Sequence, residues 1–274
     1  MAEGAPAAAG RMAGKVAIVT GAGSRMEGIG NGRASAILLA RHGARVLLVD
    51  AEPDWAEATR RMIADEGGES RVATADVTRP EECAEVVAAA RAAWGRLDVL
   101  VNNVGISGPK GTAVEVDVDA WDQALRVNVT SMMLMAKYAI PTMRETAGAG
   151  AIVNIASYAG LFGGHPSLLY PTSKGAVVNM TRAMAAHHAP DGIRVNCVAP
   201  GMVYTPMVRA EGMTEDLRAA RRDRSLLKTE GEGWDVGHAV LYLASEEARW
   251  VTGVVLPVDA GASAAPSAYP RRSN

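Results

Sequence analysis

The chain has 274 residues, 28 Lys and Arg against 30 Asp and Glu, a formal net charge of -2, and 49% hydrophobic residues. That is enough for one large core, while near-neutral charge gives no electrostatic grip on nucleic acid or a membrane surface, and no apolar run reaches the ~20 residues of a membrane-spanning helix. The start of the chain lacks the apolar segment of a secretory signal, and Cys83, Cys197 and five His show no zinc spacing, so the expectation is a reduced, cytoplasmic protein that binds no metal.

In chain order, two kinds of segment alternate. "KVAIVTG" (15–21) is a short apolar run closed by Gly, the pattern of a buried strand. "RASAILLARHG" (33–43) is helical and stops at Gly43, and "ARVLLVD" (44–50) is a second strand. A helix at about 54–66, a strand at about 71–75, a helix at about 81–94 and the strand "LDVLVNN" (97–103) follow. A long helix covers 120–145, with Pro141 the place for a bend. The core ends with strand 150–157, helix 171–188, strand 193–200, helix 233–245 and strand 253–259. This alternation makes βαβ units, hence a parallel sheet covered on both faces. Strands that are apolar throughout fit such double burial. The expectation is one α/β domain at 13–261, a doubly wound parallel sheet of about seven strands, flanked by flexible ends at 1–12 and 262–274.

Between the first strand and first helix lies "TGAGSRMEGIGNGRA" (20–34). Glycines allow a tight turn and let backbone N–H groups approach a pyrophosphate, which a helix N-terminus also favours. The second strand ends in Asp50, whose carboxylate can accept both hydroxyls of an adenosine ribose and would repel a 2′-phosphate, so the expected cofactor is NAD. Arg25 could meet a phosphate instead, but a carboxylate beside a dianion costs more than a flexible exposed Arg returns.

Further motifs occur at "NNVG" (102–105), "RVNV" (126–129), "NIAS" (154–157), "YPTSK" (170–174) and "VNCVAPGMVYTPM" (195–207). Together with the glycine loop they resemble the cofactor loop, NNAG motif, helix Asn, Ser/Tyr/Lys site and PG motif of the short-chain dehydrogenase/reductase family, over nearly all of 13–261. The Ser157–Tyr170–Lys174 spacing is the family's. The glycine loop is longer than the family's usual TGxxxGxG. Gly28-Ile29-Gly30 matches it by residue type, whereas counting back from "ARHGA" (40–44) puts Gly30-Asn31-Gly32 in the usual register, and both assignments stand. Val104 and "VDAG" (258–261) also depart from the family pattern, as packing changes.

A free Tyr, with a pKa of about 10, is too weakly acidic to serve as a base near neutral pH. Lowering it by ~3 units needs ~4 kcal/mol, about what a cation at ~4 Å supplies at an effective dielectric of ~20. Lys174, one turn along the same helix face, can be that cation, so Tyr170 becomes a usable acid–base group. Ser157, at the carboxyl end of a strand, can hold the substrate oxygen beside it.

The resemblance implies more. Asn128 would hold a water linking Lys174 to solvent, and Lys174 would also bond the nicotinamide ribose. Gly21, Ser24, Gly28, Ile29 and Gly30 would form the cofactor loop. Asp76 and Val77 would meet the adenine, and Asn103 and Gly105 would lie against the adenosine side. Pro200, Gly201, Val203 and Thr205 would border the nicotinamide carboxamide. The family's mobile lid would fall at about 206–232, and relatives are commonly homotetramers built through the helices at 120–145 and 171–188 and the last helix and strand. Lid residues Met207, Val208, Met213, Leu217, Leu226 and Leu227, with Tyr158, Leu161 and Phe162, suggest an apolar pocket. The expected reaction is NAD-dependent oxidation of a hydrophobic or cyclic secondary alcohol. The alternatives are a reductase of 3-oxoacyl groups or quinones, and a non-catalytic dinucleotide-binding scaffold.

Overall fold

A computed structural model describes residues 10–210 and 212–265. It contains the strands β1 (Val16–Thr20), β2 (Arg45–Asp50), β3 (Ser70–Thr74), β4 (Val99–Asn102), β5 (Gly150–Ile155), β6 (Ile193–Pro200) and β7 (Val255–Val258). All pair in parallel, in the order β3-β2-β1-β4-β5-β6-β7. The seven expected strands are all present, each within three residues of its expected ends. The chain winds outward from β1 in one direction and from β4 in the other. The β1/β4 boundary is therefore the switch point of the sheet, and the crevice for a ligand opens at its carboxyl edge.

The helices α1 (Asn31–Arg41), α2 (Pro53–Asp65), α3 (Pro80–Trp94), α4 (Val118–Leu125), α5 (Ser131–Ala147), α6 (Leu169–His188), α7 (Pro206–Ala210), α8 (Glu215–Arg222) and α9 (Gly233–Ala244) cover both faces. Alternate strand residues point to opposite sides. Ala17 and Val19 of β1 join Ile37 and Leu39 of α1 and Val236 and Val240 of α9, whereas Val16 and Ile18 join Val86 of α3 and Met135 and Met143 of α5. Pro53 and Pro80 start α2 and α3, where the missing N–H has no partner to lose. Within α9, a Cβ on Gly237 would lie 2.8 Å from Leu38 Cδ1 and 3.1 Å from Ala34, so α9 lies closely along α1.

Three details differ from expectation. The helix expected at 120–145 is α4 and α5 joined by a π-turn at Arg126–Thr130, so the irregularity falls at Asn128 rather than at Pro141, which sits within α5. Residues 10–12, assigned to a flexible end, lie on the core: Met12 is buried and its N–H donates to His42 O at 2.9 Å. Ala262, expected in the tail, is buried too. The rest of the two expected flexible ends, 1–9 and 266–274, lies outside the described residues. Among the described residues no helix is long and apolar enough to cross a membrane. A groove of about 520 Å³ at the amino edge of the sheet, lined by Lys15, Asp98, Arg194 and Trp250 among others, contains none of the expected site residues.

Candidate active site

Four expected residues come together at the carboxyl ends of β4 and β5. Lys174 leaves the second turn of α6 and is 4% exposed, and its Nζ donates to Ile155 O, the last residue of β5, at 3.0 Å. Burial pushes this ammonium down from its ordinary 10.5 to about 8. Tyr170, one turn earlier, presents its ring with the centroid 5.9 Å from Lys174 Nζ. On the substrate-loop side the ring of His165 lies 5.2 Å away, tilted by 35°. Ser157, just beyond β5, is buried, and its Oγ accepts from Ala159 N–H at 3.2 Å.

Asn128 is fully buried within the π-turn, a distortion that recurs at functional sites. Its Oδ1 accepts from Ile106 N–H at 2.8 Å, and its Nδ2 donates to Ile106 O at 2.9 Å and to Ser173 Oγ at 3.0 Å. Ser173 Oγ in turn donates to Tyr170 O at 2.9 Å. The Asn side chain thus fixes the segment after β4 and the first turn of α6 relative to each other. Gly105 makes room for this cluster: a Cβ there would sit 3.1 Å from Lys174 Nζ and 3.4 Å from Asn128 Oδ1.

The glycine loop lies beside them, over the end of β1. Gly21 adopts φ +62, and Asn103 braces it: Nδ2 donates to Gly21 O at 3.0 Å, and Asn103 N–H donates to the buried Thr20 Oγ1 at 3.1 Å. Helix α1 starts after Gly30 with no side-chain cap and no acidic residue in its first turn, which leaves its N–H groups and positive dipole end to an anion. The two glycine registers separate here. A Cβ on Gly32 would lie 2.1 Å from Gly21 O, while nothing lies within 4 Å of one on Gly30. Gly32 is therefore the close-packing glycine of helix on strand, and Gly30-Asn31-Gly32 holds the usual register. Gly28 has φ +125 and faces Arg209, and the side chain of Ile29 packs on the core.

These contacts predict opposite outcomes for two alanine variants. Gly32→Ala must push a methyl into a backbone oxygen, and overpacking of this kind costs about 3 kcal/mol, well above the ~1 kcal/mol helix-propensity gain. Gly30→Ala should melt like the parent but bind dinucleotide weakly. Urea unfolding and a cofactor titration on both variants check the assignment.

Asp50 closes β2 beside this loop. Its Oδ2 accepts from Gly23 N–H at 2.9 Å and its Oδ1 from Glu52 N–H at 3.2 Å. Burial pushes the carboxyl up, and the N–H groups of Glu52, Gly23 and Ala51 draw it back down. Arg25 lies over the Trp55 ring at 5.8 Å and takes no part in these bonds.

Other expected residues are already engaged within the chain. Ser24 Oγ donates to Met26 O at 2.7 Å. Asp76 Oδ1 accepts from Thr78 N–H at 2.9 Å, and Val77 is buried. Gly201, after Pro200, packs so closely that a Cβ would lie 2.5 Å from Asp259 Cβ. Val203 donates its N–H to Gly201 O at 3.0 Å and its C=O accepts from Arg221 Nη2 at 3.1 Å, so its backbone is less open to a carboxamide than its position suggests. Thr205 is buried at the start of the lid segment. Of the expected pocket wall, Phe162, Met207 and Leu217 are exposed; Tyr158 packs edge-on to Phe162 at 5.4 Å. Leu226 and Leu227 are exposed as well, with Leu226 lying against Gly261.

A glycine loop at the switch point of a seven-stranded parallel sheet, with a Tyr and a buried Lys one turn apart beside it, defines a short-chain dehydrogenase/reductase. The chain belongs to this family of oxidoreductases, whose members bind a nicotinamide cofactor: residues 24–263 match a family model described as enoyl-(acyl carrier protein) reductase. It is 39% identical over 250 residues to cis-4-hydroxycyclohexanecarboxylate dehydrogenase of Sinomonas cyclohexanicum, covering 91% of this chain and 97% of that protein. Among solved structures it resembles a short-chain dehydrogenase/reductase from Burkholderia xenovorans, with a TM-score of 0.89, 41% identity, and 93% and 99% of the two chains covered. It also resembles carveol dehydrogenase from Mycobacterium avium in complex with NAD, with a TM-score of 0.85, 30% identity, and 92% and 99% covered.

Sequence reasoning missed Arg33, Thr59, Ser173, His165 and Arg209. Arg33 and Arg209 donate to the carbonyls of Gly28 and Glu27, the residues that lengthen the glycine loop. The extra loop length was the one available signal that something must hold it.

Proposed function

We propose that the protein is an NAD-dependent dehydrogenase of hydrophobic or cyclic secondary alcohols. The observation that carries this reading is the placing of Lys174: it is buried, bonded to the end of β5, and 5.9 Å from the centroid of the Tyr170 ring. An exposed structural Lys would lie in solvent. Ser157 holds the alcohol oxygen, Tyr170 removes its proton, and the charge of Lys174 stabilises the phenolate that does so. Asn128 keeps the segment after β4 and α6 in register for that proton transfer. A bound NAD would supply the acceptor for the hydride of the alcohol carbon.

The residues present fit that cofactor. The open space before Gly30 and the uncapped start of α1 suit a pyrophosphate, and Asp50, at the end of β2, suits the adenosine ribose. Relatives named for a hydroxycyclohexane carboxylate and for carveol support a cyclic alcohol, as does the exposed apolar Phe162 and Met207 near the cleft.

The test is initial rates on a panel of cyclic and acyclic secondary alcohols with NAD and with NADP, followed by absorbance of the reduced nicotinamide. NAD-dependent turnover of the cyclic members is expected; turnover with NADP alone, or only of ketones in reverse, would refute the reading. Asp50→Ala would remove the two hydrogen bonds proposed to the ribose hydroxyls, each worth about 1.5–3 kcal/mol. Its kcat/KM with NAD should fall about 100-fold or more, at ~1.4 kcal/mol per tenfold, while the value with NADP rises. Parallel steady-state assays read the ratio.

A further inference from the structure

The glycine loop is lengthened between Gly21 and Gly30, and a longer loop loses more conformational freedom when it closes on a ligand. Asn103 and Arg209 each hold one point of this loop, and Arg33 holds it from the buried side. Arg33, on the first turn of α1, is a cation only 4% exposed. Its Nη1 donates to Gly28 O at 2.6 Å, near the far end of the loop. Its Nη2 donates to Trp55 O at 3.3 Å, on the helix that follows Asp50. Its Nε donates to Thr59 Oγ1 at 2.9 Å, and that hydroxyl donates to Ala22 O at 2.8 Å, at the near end of the loop.

The far end of the loop is thus tied to α2 through the Arg33 guanidinium, and the near end through Thr59, which the same guanidinium bonds. Between them sits Gly23, whose N–H bonds Asp50 Oδ2 and whose missing Cβ would lie 2.5 Å from Trp55 Cβ and 2.8 Å from Asp50 Oδ2. The loop, α2 and the Asp50 carboxylate therefore form one packed unit whose centre is Arg33. A buried cation is retained only where its donors are satisfied, and here three acceptors from two segments, the loop and α2, satisfy it. A fork of fixed geometry does this, where the single ammonium of a Lys would reach fewer of them.

We propose that Arg33 is a positioning and specificity-determining residue for the cofactor: it braces the lengthened loop against α2 so that Asp50 is held at the place of the adenosine ribose. The inference rests on the nicotinamide-cofactor reading above. Arg33 itself touches no substrate or reacting atom.

The consequence is a split between binding and turnover. Arg33→Met keeps the length and apolar stem of the side chain but removes the donors. It should raise the Kd for NADH, measured by fluorescence titration, about tenfold, and should narrow the NADH-to-NADPH preference by a similar factor. The kcat at saturating cofactor should stay within about twofold of the parent, because Tyr170 and Lys174 lie at the other end of the cleft. Arg33→Lys should recover part of the affinity. Thr59→Val, which keeps the buried shape but cuts the link to Ala22, should weaken NADH about threefold, and it serves as the test if Arg33→Met does not fold.

If Arg33→Met and Thr59→Val both bind NADH as the parent does, or if kcat and affinity fall together while preference is unchanged, the brace is only structural and the proposal is overturned. If the parent itself binds neither NADH nor NADPH, the functional reading fails first. If the parent prefers NADPH, the NAD assignment fails, and a lost brace must still appear as weakened NADPH binding.

Discussion

Tyr170→Phe should lose turnover by about 10³-fold or more while binding NADH within about twofold of the parent. A positioned general acid–base group contributes typically ~10²–10⁴ in rate, and the phenol hydroxyl is the only atom the substitution deletes. The ring keeps its neighbours, His165 at 5.2 Å and the Lys174 ammonium at 5.9 Å, so the cleft should keep its shape. Single-turnover assays with a responsive alcohol, alongside an NADH titration, separate the two effects. A variant that retains a tenth of parental turnover would remove Tyr170 from the chemistry and leave Ser157 or a bound water as the proton acceptor.

Lys174 Nζ lies 5.9 Å from the centroid of the Tyr170 ring, a position from which its charge favours the phenolate under the proposed reading. The positive ring of a bound oxidised nicotinamide would add to that charge, so proton abstraction by Tyr170 would be favoured in the oxidative direction.

Much of this arrangement is legible in the residue order, and the reasons differ by element. The seven strands show as apolar runs because both faces of a parallel sheet are buried, a property each strand carries locally. The Tyr–Lys pair is legible because both residues lie on one helix one turn apart. The π-turn at Asn128 is not, since what selects it is a pair of bonds to Ile106, 22 residues away, which no local period reports. Pro141 attracts attention as a helix breaker, yet α5 continues through it. The glycine register is decidable only from packing: Gly28 and Gly32 are alike as letters, and the 2.1 Å approach to Gly21 O separates them. Arg33 was invisible for a related reason. A charged residue in a helix is expected on the solvent side, and its burial depends on where α2 and a lengthened loop happen to meet.

Lys174→Met should abolish most turnover and at the same time stabilise the cofactor-free protein. Holding an ammonium near pH 7 in a site that lowers it from 10.5 to about 8 costs roughly 3 kcal/mol, at ~1.36 per unit. Against this, the variant loses the charged donor's bond to Ile155 O, worth about 1.5–3 kcal/mol. A net gain of up to about 1.5 kcal/mol is expected, or up to roughly 3–6 °C in Tm for a chain of this size. The sign follows from proton counting. Between about pH 8 and 10.5 the folded protein holds fewer protons on Lys174 than the unfolded chain, so its stability rises with pH in that window. The buried thiols Cys83 and Cys197, pushed up to about 11, act the other way above pH 9, because there the folded state holds more protons. The rise should therefore be clearest from pH 8 to 9; the difference between parent and variant cancels Cys83, whereas Cys197, whose charge couples to Lys174, contributes only above that window. Urea unfolding of both proteins across that range reads it. A variant less stable than the parent at pH 7 would mean that Lys174 is held there by favourable contacts rather than at the expense of the fold, and its burial could no longer be attributed to the demands of the site.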